Sequence, residues 1–165
     1  MKGKRVLFSI LLALVLLVAC NQKAKKAKAY HDDLVHSVHV VVDSSLEFGE
    51  AITSHDKARA IRAGEQFSSL LDKTTVAIKV KGDFEGDAAL KYNALKLLYI
   101  YRTSLDGDFM PLLNSMNSNL FTEQDSFVAD SLYTKFNMTE KDYWQKFNVA
   151  EKNFCEQHGL NESGK

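Results

Sequence analysis

The sequence predicts an all-α fold, an antiparallel four-helix bundle, on three observations. Apolar residues recur at steps of three and four in four separate stretches, the spacing that lines one face of a helix. Short breaks rich in glycine, aspartate and serine separate these stretches, and the 165 residues contain a single proline. Four amphipathic helices joined by short connections bury their stripes most simply by packing side by side in alternating directions.

The first stripe is Leu34, Val38, Val41, Phe48 and Ile52, with Ser45 filling the gap, and it predicts a helix over 30–53. Ser54 or Asp56 can cap the second, where Ala60, Gly64, Phe67, Leu71, Thr74 and Ile78 keep the spacing. The stretch 74–80 is β-branched and alternates Val76, Ile78 and Val80 against Lys79 and Lys81, which leaves a strand open there; helix is preferred because no partner strand is visible. Gly82, Gly86 and the acids Asp83, Glu85 and Asp87 form the next break, Asp87 being a natural N-cap at the positive helix end. Leu90, Ala94, Leu97, Tyr101 and Leu105 make the third stripe. Asp106-Gly107-Asp108 and Pro111 are expected to interrupt or kink that helix, after which Leu112, Leu113, Met116 and Leu120 resume a helical pattern. Thr122 and Asp125 fit a capping box before a helix whose face runs Val128, Leu132, Phe136, Tyr143, Phe147, Ala150 and Phe154, and Gly159 supplies its stop.

The chain opens differently. Lys2, Lys4 and Arg5 precede the fourteen-residue apolar run Val6 to Ala19, which is followed by Cys20. A basic start, a short apolar run and a small residue before a cysteine are the parts of a secretory signal, and the run falls short of the roughly 20 residues that span a bilayer. Leu17-Val18-Ala19-Cys20 resembles the lipobox of bacterial lipoproteins, whose usual form is Leu, a small residue, Gly or Ala, then Cys; Val18 is a departure from it. The resemblance implies cleavage between Ala19 and Cys20, diacylglycerol on the Cys20 sulfur and fatty acylation, commonly with palmitate, of the new amino terminus. Two or more acyl chains hold a protein at a membrane where one is marginal.

The expected organisation is therefore a signal peptide at 1–19, a lipidated cysteine with a lysine-rich tether at 20–29, the bundle at 30–160 and a disordered tail at 161–165. The tether carries Lys23, Lys25, Lys26 and Lys28 and no large apolar group, so nothing in it is expected to enter a core. By resemblance, Asn21 in place of Asp after Cys20 favours the outer over the inner membrane of the cell envelope.

The first nineteen residues hold three of the 21 basic side chains and none of the 21 acidic ones, so the remaining 146 residues carry a formal charge of −3. That balance disfavours nucleic-acid binding. With Cys20 consumed as a thioether, Cys155 has no second cysteine to pair with in the chain and is read as a small buried residue beside Phe154.

The lysine tether and four-helix pattern also look like an uncharacterised family of bacterial surface lipoproteins first named from spirochaetes. The likeness spans Tyr30 to Leu160 and rests on helix order, on Gly82-Asp83 before the third helix and on Phe121-Thr122-Glu123-Gln124-Asp125 before the fourth. It implies a fold and a location and attaches no catalytic residues.

Among chemical constellations, Asp32, His36, His39 and Asp43 fall at steps of four, three and four on one face of the first helix. Imidazoles and carboxylates at that spacing can share a Zn²⁺. They lie about 200° from the apolar stripe at 3.6 residues per turn, on the solvent side, where a hydrated face is the simpler reading, and two histidines leave a tetrahedral shell unfilled unless a second copy completes it. Cys155 and His158 lie three apart without an identifiable orienting residue, oxyanion loop or glycine-rich turn. Serine-hydrolase, phosphate-loop and dinucleotide signatures are absent, and neither acidic break has the twelve-residue loop of an EF-hand. Asn137-Met138-Thr139 and Asn161-Glu162-Ser163 match a glycosylation sequon that carries little weight in a bacterial lipoprotein. Tyr92, Tyr99 and Trp144 fall off the core stripes. The expectation is a lipid-anchored, non-catalytic interaction module with an envelope protein partner; the alternative is metal handling, with Zn²⁺ as the possible cofactor.

Overall fold

The computed structural model describes residues 2–116 and 120–160, with side chains from Gln22 onward. The lipobox and signal segment lie outside the described side chains, and the tail at 161–165 lies outside the described residues. The fold is all-α: α1 (Lys2–Thr53), α2 (Lys57–Val80), α3 (Ala89–Ser104), a π-helical turn (Leu105–Phe109), α4 (Met110–Ser115) and α5 (Glu123–His158). Among the described residues no helix is long and apolar enough to cross a membrane.

The stripes are the core. Leu34, Val38, Val41, Phe48 and Ile52 of α1, all six predicted positions of α2, and Leu90, Ala94, Leu97, Tyr101 and Leu105 are buried. Residues 74–80 belong to α2, so Ile78 is buried with Leu71 and Thr74 while Val76 and Val80 are exposed, the pattern of a helical face and not of an alternating strand. On α5 the stripe sits one position away from expectation at its start, Ala129 being buried where Val128 is half-buried, and it tightens toward Phe147, Ala150 and Phe154.

Neighbouring helices run in opposite directions, as their side-chain pairs show. Phe48 faces Phe67 at 6.0 Å while Lys81 at the far end of α2 reaches Asp33. Along α1 and α5, His31 meets Glu151, His39 meets Trp144 and Gly49 meets Tyr133. Along α3 and α5, Asp87 lies by His158 and Tyr101 by Glu140. Arg102 fastens α3 to α2 by donating to the Ser68 hydroxyl at 2.6 Å, the Ser68 carbonyl at 2.8 Å and Asp72 at 2.5 Å.

Local chemistry sets the ends. The Asp56 carboxylate accepts from the Arg59 N–H at 3.0 Å and caps α2. Asp87 accepts from the Ala89 N–H at 2.9 Å, so it serves the start of α3 from just outside it. Thr122 and Asp125 form the predicted capping box, and Gly159 takes a left-handed conformation at φ 63°, its N–H and that of Leu160 closing on the last turn of α5.

One expectation needs correction and another a refinement. The stretch before residue 30 is not a separate tether: Gln22 to Ala29 continue α1, and Ala27 is fully buried. The apolar spacing simply extends back, since Ala27 precedes Leu34 by seven residues, two helical turns, and a methyl group suffices at the tapering end of the core. Asp106-Gly107-Asp108 and Pro111 interrupt the α-helix at the expected place, but with a π-helical turn and not with a break. The Met110 N–H donates to the Leu105 carbonyl, five residues back, and the backbone stays right-handed helical from Ser104 through Met110. Widening the turn there accommodates Pro111, which has no N–H to give and whose ring would crowd the carbonyl four residues earlier.

Gly64 and Gly107 test this packing in opposite senses. A Cβ at Gly64 would sit 2.8 Å from Met110 Sδ and 3.2 Å from Phe48, whereas one at Gly107 would meet nothing within 4 Å. Gly64→Ala is expected to destabilise by about 1–3 kcal/mol through overpacking, and Gly107→Ala to stabilise by about 0.5–1 kcal/mol through backbone entropy, both measured by urea unfolding.

Candidate functional site

The polar chemistry gathers along the α1–α5 seam and at the end of the bundle where α2 passes into α3. On the seam, Glu151 accepts from His31 Nε2 at 3.2 Å and Asp32 from His31 Nδ1 at 3.0 Å. With a carboxylate on each nitrogen, the doubly protonated ring satisfies both contacts. The Glu151 hydrogen bond is the main cause that raises the His31 pKa above its ordinary value; burial opposes it and Asp32 reinforces it. Lys28 donates to Asp32 at 2.7 Å and, ahead of His31, holds that carboxyl below the usual range.

The four residues of the predicted stripe are all exposed, as their offset from the core requires, but they are not equivalent. Asp32 is engaged by Lys28 and His31, and the His39 ring packs on Trp144 at 5.8 Å, which itself meets Phe147 edge-on at 5.6 Å. His36 and Asp43 stand on the open surface. Among the described residues no group of three or more His, Cys, Asp or Glu side chains is placed to hold a metal ion.

Midway along the bundle the buried Tyr101 hydroxyl donates to Glu140. Burial first, and Glu140 second, push the phenol far above its ordinary pKa, so it acts as a fixed donor. Beside it lies an apolar pocket lined by Ser45, Phe48, Phe67, Tyr101, Leu105 and Phe136, with room for little more than a water molecule.

At the α2–α3 end, Phe84 packs against Tyr30 at 5.5 Å, Phe154 at 5.7 Å and His158 at 4.9 Å. His158 Nε2 is 3.8 Å from Asp87, beyond hydrogen-bond reach, and it and the Tyr30 hydroxyl are buried polar atoms without a hydrogen-bond partner. Burial is the first cause raising the Tyr30 pKa, with the charges of Asp83 and Asp87 adding to it. Cys155 is half-buried, more open than the buried position expected from its sequence context.

Sequence reasoning passed over His31, Glu151 and the acid beside His158. His31 continues the apolar stripe of α1, three residues before Leu34 and four after Ala27, but its partner is 120 residues away, so only the register of α5 on α1 brings them together. Asp87 was legible as a cap, and its second role toward His158 follows from α5 ending alongside α3.

No protein-family model, curated protein or solved structure matches the chain.

The raised His31 pKa fixes the sign of a pH effect. A group whose pKa is higher folded than unfolded stabilises the fold fully below its unfolded value, about 6.5, and that contribution is lost as pH climbs through the folded value. The stability difference between the wild type and Glu151→Gln should be largest near pH 6 and shrink by pH 9, read from urea midpoints across that range.

Proposed function

We propose that the protein is a lipid-anchored component of the bacterial cell envelope that acts without catalysis, through contacts made by its helical bundle. The observation that carries this reading is Leu17-Val18-Ala19-Cys20 at the end of a basic-then-apolar start. Such a start directs export, and lipid on Cys20 would hold the mature chain at the bilayer. Asn21 favours the outer membrane.

Support for a contact role comes from α3. Tyr92 and Tyr99 are 56% and 63% exposed and lie two helical turns apart on one side, with Lys96 between them and 4.4 Å from the Tyr92 ring. Amphipathic rings presented outward are the residue type enriched at protein interfaces. Trp144, held between His39 and Phe147, is the weaker candidate for such a contact.

A second reading, metal handling with Zn²⁺, draws on His36 and His39, which are exposed three residues apart on α1. It requires micromolar Zn²⁺ binding by calorimetry that disappears in His36→Ala/His39→Ala; an unchanged titration in that variant removes it.

Two measurements test the main reading. Cells fed an alkyne fatty acid should label the wild-type protein and leave Cys20→Ser unlabelled and uncleaved; label retained in Cys20→Ser would overturn the anchor. Crosslinking in intact envelopes should recover a partner from the wild type and at least tenfold less from Tyr92→Ser/Tyr99→Ser, with equal recovery placing the contact elsewhere.

A further inference from the structure

The end of the bundle nearest Cys20 has an uneven distribution of charge. Its acids are matched to cations: Glu85 to Lys23 at 2.5 Å, Asp83 to Lys91 at 3.1 Å, Asp32 to Lys28 at 2.7 Å and Asp33 to Lys81. Asp87 faces His158 at 3.8 Å, and Glu151 faces His31 at 3.2 Å. Lys25 and Lys26 are exposed and have no ion pair among the described residues. They sit on a helix and not on a loose chain, because α1 runs unbroken through them, Ala27 is buried in the core, and Lys23 ties the stretch to the 81–88 connection. At 1.5 Å per residue they lie roughly 8–9 Å along the axis from Cys20, about one Debye length at physiological salt.

We infer that Lys25 and Lys26 dock this end of the bundle onto an anionic lipid leaflet, so that the domain stands on its helical stalk with the 81–88 connection toward the membrane. The occupant is a lipid surface because the two cations would be held beside the acyl chains by a helix too short to carry them away. Of the acids that such a surface would otherwise repel, Glu85, Asp83 and Asp33 are each matched to a lysine at close range. A basic side chain this near an anionic leaflet is stabilised by about 1 kcal/mol, roughly a fivefold effect for each lysine.

The inference rests on lipidation of Cys20, and its test keeps the two apart. The purified lipidated protein is reconstituted into vesicles of phosphatidylcholine alone and into vesicles containing one third phosphatidylglycerol. Acylation of each lysine by an amine-reactive ester is followed by mass spectrometry, which also reports the mass of the Cys20 peptide. Lys25 and Lys26 should react about fivefold more slowly on the anionic vesicles, regain their rate in 0.5 M salt, and differ in this from exposed Lys141 on α5. Equal rates on both vesicle types, with lipid present on Cys20, overturn the docking and leave the anchor intact. Absence of lipid on Cys20 overturns the anchor itself. Protection found in native membranes but in neither vesicle would assign the two lysines to a protein partner and equally overturn the proposal. Lys25→Gln/Lys26→Gln provides an independent check: the single tryptophan, Trp144, should be quenched equally by headgroup-labelled neutral vesicles in both proteins, and differently by anionic ones.

Discussion

Leu34, Val38, Val41, Phe48 and Ile52 form a stripe on α1 that has no other element of its own helix to cover it, and a helix in water gains little stability from its backbone alone. Burying five such side chains is worth about 1.5–3 kcal/mol each, so the stripe must find neighbours. α2 packs along it most extensively, and α3 and α5 complete the closure. Everything else in the molecule follows that closure. Phe48 meets Phe67 of α2 and, edge-on at 5.6 Å, Phe109 of the π turn; Phe67 meets Tyr101 edge-on at 5.9 Å; and Tyr101 meets Phe136 of α5 at 5.3 Å. A chain of rings thus crosses the bundle and links every long helix to the next.

Apolar stripes set which faces are buried but specify axial register poorly, since a one-turn slip preserves most of the contact. Polar pairs resist that slip. The Tyr101 hydroxyl has its acceptor in Glu140, which fixes the height of α3 against α5. Arg102, the next residue, grips Ser68 and Asp72 and fixes α3 against α2. Displacing either group would strand a buried hydroxyl or a half-buried guanidinium, a cost that an apolar contact cannot impose.

Much of this architecture was legible in the sequence because helical burial is periodic. Stripe positions such as Ala60, Phe67 and Leu71 follow from spacing, and Asp56, Thr122, Asp125 and Gly159 follow from the unpaired backbone groups at helix ends. Features that depend on two distant segments meeting were not legible: the His31–Glu151 contact, the placement of Asp87 by His158, and the packing of His39 on Trp144 all require the register of α5. Ala27 escaped for another reason. Four lysines in one short stretch outweigh a single methyl group in any reading of composition, yet only the face on which that methyl lies decides whether the helix stays packed.

The π turn has a geometric consequence. Tyr101, Leu105, Phe109 and Leu113 are all buried at steps of four, and each such step on an ordinary α-helix advances the stripe by about 40° around the axis. Three in succession would rotate Leu113 off the core. Leu105–Phe109 takes up one residue more than a regular turn and returns the stripe to its starting side, so the number of residues in this segment governs the azimuth of α4. A chain one residue shorter here would form a regular α-helix with Leu113 still on the core side, whereas the present segment wound as a regular α-helix would turn Leu113 by about 100° away from it.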